Sequence, residues 1–156
     1  MGLIALRRAF VGTSIAWAVA LPLATLAAAR ASTSWSMSVL ALAVYAIGAI
    51  VCHQRPERSF FLGSHQMPVC ARCTGIYIGA AVAVILSVVA RRPSDSTLTL
   101  SLSKGERVVA ALAALPAIAT LVYEWTTGVT PANWIRAASG LCLGAAVAAL
   151  IRREVN

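Results

Sequence analysis

From Ala9 to Ala29 the chain carries no charged side chain. A run of that length matches the roughly 30 Å hydrocarbon core of a bilayer. In lipid, an open chain satisfies all its backbone N–H and C=O groups only as helix. Further apolar stretches run from about 37 to 52, 69 to 90, 106 to 126 and 133 to 151, separated by short polar or proline-containing segments. The expected fold is an all-α, polytopic membrane helical bundle of about five transmembrane helices, one integral membrane domain over residues 1–156. Composition agrees, because 60% hydrophobic and 12% charged residues with a mean hydropathy of +0.82 lie far from soluble-domain values.

The boundaries follow from local chemistry. Pro22 is expected to kink the first helix. A competing reading of that segment is a signal peptide, with Arg7 and Arg8 as its basic start and Ala29-Arg30-Ala31 as a cleavage site. The length of the apolar run favours a retained helix. Ser32 to Ser38 reads as a tight turn with Trp35 as an interface anchor. Pro68 precedes the third helix, which Arg91-Arg92-Pro93 stops. A Ser/Thr-rich segment follows, and Ser103 with Glu106 forms the pattern of a capping box for the fourth helix.

The formal charge is +8. In a membrane protein such a surplus sits in the flanks, where it sets orientation and meets anionic lipid. The expected partner is the bilayer, in a prokaryotic inner membrane, with a homo-oligomer or a membrane partner as further candidates. Nucleic acid is not expected, since no basic soluble face with polar or aromatic readers is visible. Counting arginine and lysine by loop nearly balances the two orientations. Setting aside the arginines of the 52–73 loop tips the count toward an N-terminus and a cysteine loop that both face outward.

Chemistry concentrates between Val51 and Gly79, which hold three of the 4 cysteines and both histidines. Cys70 and Cys73 stand three apart at a helix start, so their side chains share a face. A Cys-x-x-Cys pair at that spacing lets two thiolates hold one metal ion. Cys52 and His53 close the preceding helix, and His65 lies in the loop between. Cys52, His53, Cys70 and Cys73 are the expected ligands of one zinc ion, with His65 in reserve. Met67 beside the thiols makes Cu(I) the alternative metal. Packing without metal is the plain alternative, because cysteine is often buried as a small apolar residue. Cys142, alone in an apolar run, is read as packing.

A redox reading competes. A helix N-terminus and Arg72 both stabilise a Cys70 thiolate, and Cys52 could resolve a disulfide. That protein would cycle its thiols and carry no metal. Arg55, Glu57 and Arg58 could bind an anionic headgroup or substrate, or form a solvated turn, while Phe60 and Phe61 dip into the interface. Arg72 and Arg136 each sit just inside a helix, where a charge faces protein, faces water or snorkels. Glu124 is placed to pair with Arg136 across the turn between the last two helices.

An internal echo adds a packing expectation. Arg72-Cys-Thr-Gly-Ile-Tyr-Ile-Gly79 resembles Arg136-Ala-Ala-Ser-Gly-Leu-Cys-Leu-Gly144. If helices four and five repeat helices two and three, the copies share orientation about an axis along the membrane normal. Glu124, Asn133, Trp134 and Arg136 then lie on the same membrane side as the cysteines. Gly75, Gly79, Gly140 and Gly144 would bring helices three and five together, since small residues let backbones meet in lipid.

At CHQRPERSF, PVCARCTGIYIG, Leu115-Pro116 and Asn133-Trp134-Ile135-Arg136 through Gly144, the chain resembles the small prokaryotic membrane proteins of the domain of unknown function 2085 family. The resemblance implies a membrane bundle and no particular activity. Members often carry an acid shortly after the Leu-Pro, where this chain has Thr120, and its nearest acid is Glu124. Two classes of function follow from the residues: a metal-bearing or redox membrane protein, enzymatic or not, and a non-catalytic membrane scaffold pinned by structural zinc. No Ser/His/Asp set, phosphate loop or paired carboxylates point to a hydrolase. Short helices without a polar stripe argue against a transporter acting alone.

Overall fold

The computed structural model describes residues 2–30, 35–89 and 104–154. Five helices carry the fold: α1 (Gly2–Ala29), α2 (Trp35–Val51), α3 (Ala71–Val89), α4 (Lys104–Thr127) and α5 (Asn133–Glu154). Among the described residues, four of these helices contain segments long and apolar enough to cross a membrane, within α1, α3, α4 and α5. The 17 residues of α2 reach only about 26 Å at 1.5 Å per residue. It has about the length expected of the 37–52 run and falls short of the roughly 30 Å hydrocarbon core. Pro22 and Pro116 lie within continuous helices. The expected Ser103 cap and the polar segment before it fall outside the described residues.

The 52–73 segment is not a loop. After a single 3-10 turn at Pro56–Arg58 it folds as an antiparallel hairpin of β1 (Ser59–Leu62) and β2 (His65–Cys70). Leu62 pairs with His65, which leaves Gly63 and Ser64 as a two-residue connection. Gly63 has φ +63° and Ser64 does not turn positive, as a type II′ hairpin turn requires. The register shifts between Ser59 and Phe61, opposite the part of β2 that holds Pro68. Proline brings no N–H to a ladder, so the irregular stretch accommodates it. Phe60 packs against the core and Phe61 is exposed, so only Phe61 is free to meet the interface.

The most extensive contact joins α3 to α5. A Cβ on Gly75 would strike the carbonyl of Ala137, and one on Gly140 would strike that of Arg72. One turn further on, Gly79 meets the Leu141 carbonyl and Gly144 that of Ile76. When Gly75 is aligned with Gly140, Arg72 falls on Ala137 and Ile76 on Leu141. Each contact thus has its mirror, and the pair is parallel and quasi-symmetric, as the internal echo implied. The glycine faces are occupied within the chain.

On the other side, α1 packs on α2, α3 and β2. Leu21, Ala24, Val44, Cys52, Met67 and Val69 form a buried core there, and Trp17 meets Tyr77 edge-on at 5.9 Å. The chain's polar chemistry lies at one end of this packing.

Candidate functional site

Cys52 ends α2, its N–H donating to the Gly48 carbonyl at 2.9 Å. Cys70 is the last residue of β2, so the helix begins two residues later than the sequence suggested, and Cys73 lies in the first turn of α3. The hairpin folds back until the Cys70 N–H donates to Cys52 Sγ at 3.2 Å. All three Sγ atoms lie within 4.8 Å of one another. Three sulfurs on one tetrahedral zinc, at about 2.3 Å each, would stand about 3.8 Å apart, so a small inward movement would close the site. The Cys70 thiol is drawn below its ordinary value of 9.0, to about 5. The hydrogen bond from the Cys73 thiol contributes most to this, burial opposes it, and the Cys73 backbone, Cys52 and Arg136 assist.

The histidines stand apart from this cluster. Among the described residues the group is Cys52, Cys70 and Cys73 alone. His53 is exposed but borders the same cavity as the thiols. Successive residues at a helix end point in different directions, and here the buried position falls to Cys52. His65 is at the hairpin turn, about 16 Å of strand from Cys70. Met67 belongs to the buried core that also contacts the cysteines. Cys142 is exposed and apart from them.

A network that the sequence reading missed holds the hairpin in place. Gln54 adopts φ +48°, unusual for a residue with a side chain. Its amide donates to the carbonyls of Tyr45 at 2.9 Å and Pro68 at 2.7 Å. Gln66 donates back to the Gln54 carbonyl at 2.6 Å, and the Tyr45 hydroxyl donates to the Gln66 carbonyl. A Cβ on Gly48 would collide with the Pro68 carbonyl, so α2 and β2 meet backbone to backbone. Asn133 ties the start of α5 to the Ser59 carbonyl at 2.9 Å. Asn and Gln carry no spacing signature, which hid these roles. Gln54→Ala leaves two carbonyls without their donor. It is expected to cost about 1–3 kcal/mol, read as a lower melting temperature in detergent and faster amide exchange in β2.

Beside the thiols lie the arginines. Glu124 is 6% exposed and faces three of them. Arg58 Nη2 stands 2.7 Å from Oε1, without the alignment of a hydrogen bond. Arg72 and Arg136 approach Oε2 at 3.7 and 3.8 Å. The expected Glu124–Arg136 pairing is present, and two further arginines join it. Arg136, at 2% exposure, does not snorkel. Arg72 also donates to the Thr120 hydroxyl at 3.2 Å. Thr120 and Glu124 are one turn apart on α4, so the acid reaches Arg72 from the neighbouring turn. Glu57 is exposed and loosely paired with Arg55 and Arg58, at 4.0 and 3.9 Å. A cavity of about 320 Å³ opens between the hairpin and the helix starts. The three thiols and His53 line one part of it, and Arg55, Arg58, Arg72 and Arg136 another.

A family model described as Predicted membrane protein (DUF2085) matches residues 52–150. Uncharacterized protein MJ1492 of Methanocaldococcus jannaschii is 46% identical over 54 residues, 35% of this chain and 35% of its own. An uncharacterized protein of Methanothermobacter thermautotrophicus is 60% identical over 30 residues, 19% of this chain and 27% of its own. The matched stretches thus span about a third or less of these curated relatives. No solved structure matches the chain.

Proposed function

We propose that this chain, which belongs to the DUF2085 family of predicted membrane proteins, binds one metal ion through Cys52, Cys70 and Cys73 at the end of its helical bundle. The observation that carries the reading is the convergence of three sulfurs, within 4.8 Å of one another, from α2, β2 and α3. Zinc suits a thiolate-rich set best, and Cu(I) is the alternative for soft donors. The fourth position is open to the cavity, where His53 or a water could complete a tetrahedron. A histidine there makes the site structural, a clamp for α2, hairpin and α3, whereas water leaves Lewis-acid chemistry open. The protein acts from a multi-pass position in a prokaryotic cell membrane.

Metal analysis of protein purified without a nickel column is expected to find about one zinc per chain. Cys73→Ser is expected to lose both the metal and stability, since metal binding and folding are linked. His53→Ala separates the two forms of the site: it weakens zinc retention only where His53 is the fourth ligand. The low Cys70 value favours one rival, a thiol redox protein. A stoichiometric disulfide without metal would install that reading in place of this one.

A further inference from the structure

We propose that the cavity beside the thiols is a binding site for a phosphate-type oxyanion, held by Arg58, Arg72 and Arg136 with Arg55 at its mouth. The argument begins with donors that lack acceptors. Nε and Nη1 of Arg136, Nε of Arg72 and Nε of Arg58 are all buried without a hydrogen-bond partner. Arg136 is 2% exposed and lines the cavity. A buried guanidinium without acceptors is costly, and at membrane depth charges of this kind mark functional sites.

Glu124 does not resolve this. One carboxylate has two oxygens, whereas three guanidinium forks converge on it, two of them at 3.7 and 3.8 Å, beyond hydrogen-bond reach. Among the described residues the cavity's four arginines face the carboxylates of Glu124 and the exposed Glu57 and the lowered Cys70 thiol, three acids against four cations, so a surplus of positive charge remains. Planar forks match the oxygens of phosphate in pairs, and a tetrahedral anion can engage several forks at once. A volume of about 320 Å³ is at the lower end for ligand sites, suited to a small anion or a single headgroup. The site stands on the arginines and the cavity and does not require metal on the sulfurs.

The test uses the whole protein in neutral detergent, both as purified and stripped of zinc. Inorganic phosphate is titrated against chloride at equal ionic strength, by calorimetry and by melting. Saturable binding is expected, weakened about tenfold or more in Arg58→Gln, the equivalent of one charge-assisted hydrogen bond. Phosphate also stabilises proteins unspecifically, so the variant is the deciding comparison. Should Arg58→Gln not fold, Arg55→Gln at the exposed mouth is expected to weaken binding by a smaller factor. In a second arm the protein is placed in phosphatidylglycerol or phosphatidylcholine nanodiscs and examined by native mass spectrometry. Retained phosphatidylglycerol, displaced by inorganic phosphate and lost in the variant, identifies a lipid headgroup as the source. Phosphate binding without retained lipid identifies a free anion. Phosphate effects equal to those of chloride, or equal in wild type and variants, together with no preference for phosphatidylglycerol, overturn the proposal. A metal-free preparation that still binds phosphate would separate this site from the fate of the zinc reading.

Discussion

Leucine at Gly79 or Gly144 is expected to abolish the folded protein. At both positions even a Cβ would enter the carbonyl of the facing helix, at Leu141 and Ile76 respectively. Those atoms are backbone, so no rotamer change relieves the clash. Forcing extra carbons into a packed interior costs about 1–3 kcal/mol where side chains can shift. Against backbone, with four carbons added, the cost should exceed that range and approach the 5–15 kcal/mol that holds a typical domain together. In lipid the loss is not repaired by hydrophobic collapse, because helix association rests on close van der Waals packing. Gly12→Leu supplies the control, since nothing lies within 4 Å of a Cβ there. Monodisperse protein with a wild-type melting temperature in both Gly79→Leu and Gly144→Leu would sink the prediction. Because these contacts are within one chain, the failure should appear as unfolding and not as dissociation of an oligomer.

That contact was legible in the sequence because glycine spacing in an apolar run has few other uses. The same holds for the helices, which follow from uninterrupted hydrophobicity, and for the three cysteines, whose types and spacing suggested a common site. The hairpin is legible too. Phe60-Phe61-Leu62 and His65-Gln66-Met67 flank Gly63-Ser64, a two-residue hairpin signal, but the cysteines invited a reading as ligand loop. His53 borders the cavity beside Cys52 but is exposed, because neighbouring positions at a helix end diverge. What could not be read is that Arg58 and Arg72 join the expected Glu124–Arg136 pair. Their sequence separations from Glu124 carry no period, and only the placement of the 3-10 turn beside the facing ends of α4 and α5, where Asn133 holds the Ser59 carbonyl, brings Arg58 to Glu124 at all.

Glu124→Gln is expected to be the most damaging single change in that cluster, costing about 3–5 kcal/mol. The reasoning is one of partners. Among the described residues Glu124 is the one buried acid and faces three guanidinium groups, while each of those arginines has only this buried acid. Removing the carboxylate leaves three like charges facing one another at low exposure, in surroundings that screen them poorly. Removing one arginine instead leaves Glu124 two partners and lessens the repulsion between the remaining cations. Arg136→Gln and Arg58→Gln should therefore each cost less than Glu124→Gln, although Arg136 is the most buried of the group. Adding Arg136→Gln to Glu124→Gln should recover part of the loss, since it removes one of the stranded charges. Melting of the three single variants and the double variant in detergent gives the ordering and the coupling energy together. Should Arg136→Gln prove as destabilising as Glu124→Gln, with no recovery in the double variant, the cluster would not be held by this one central carboxylate.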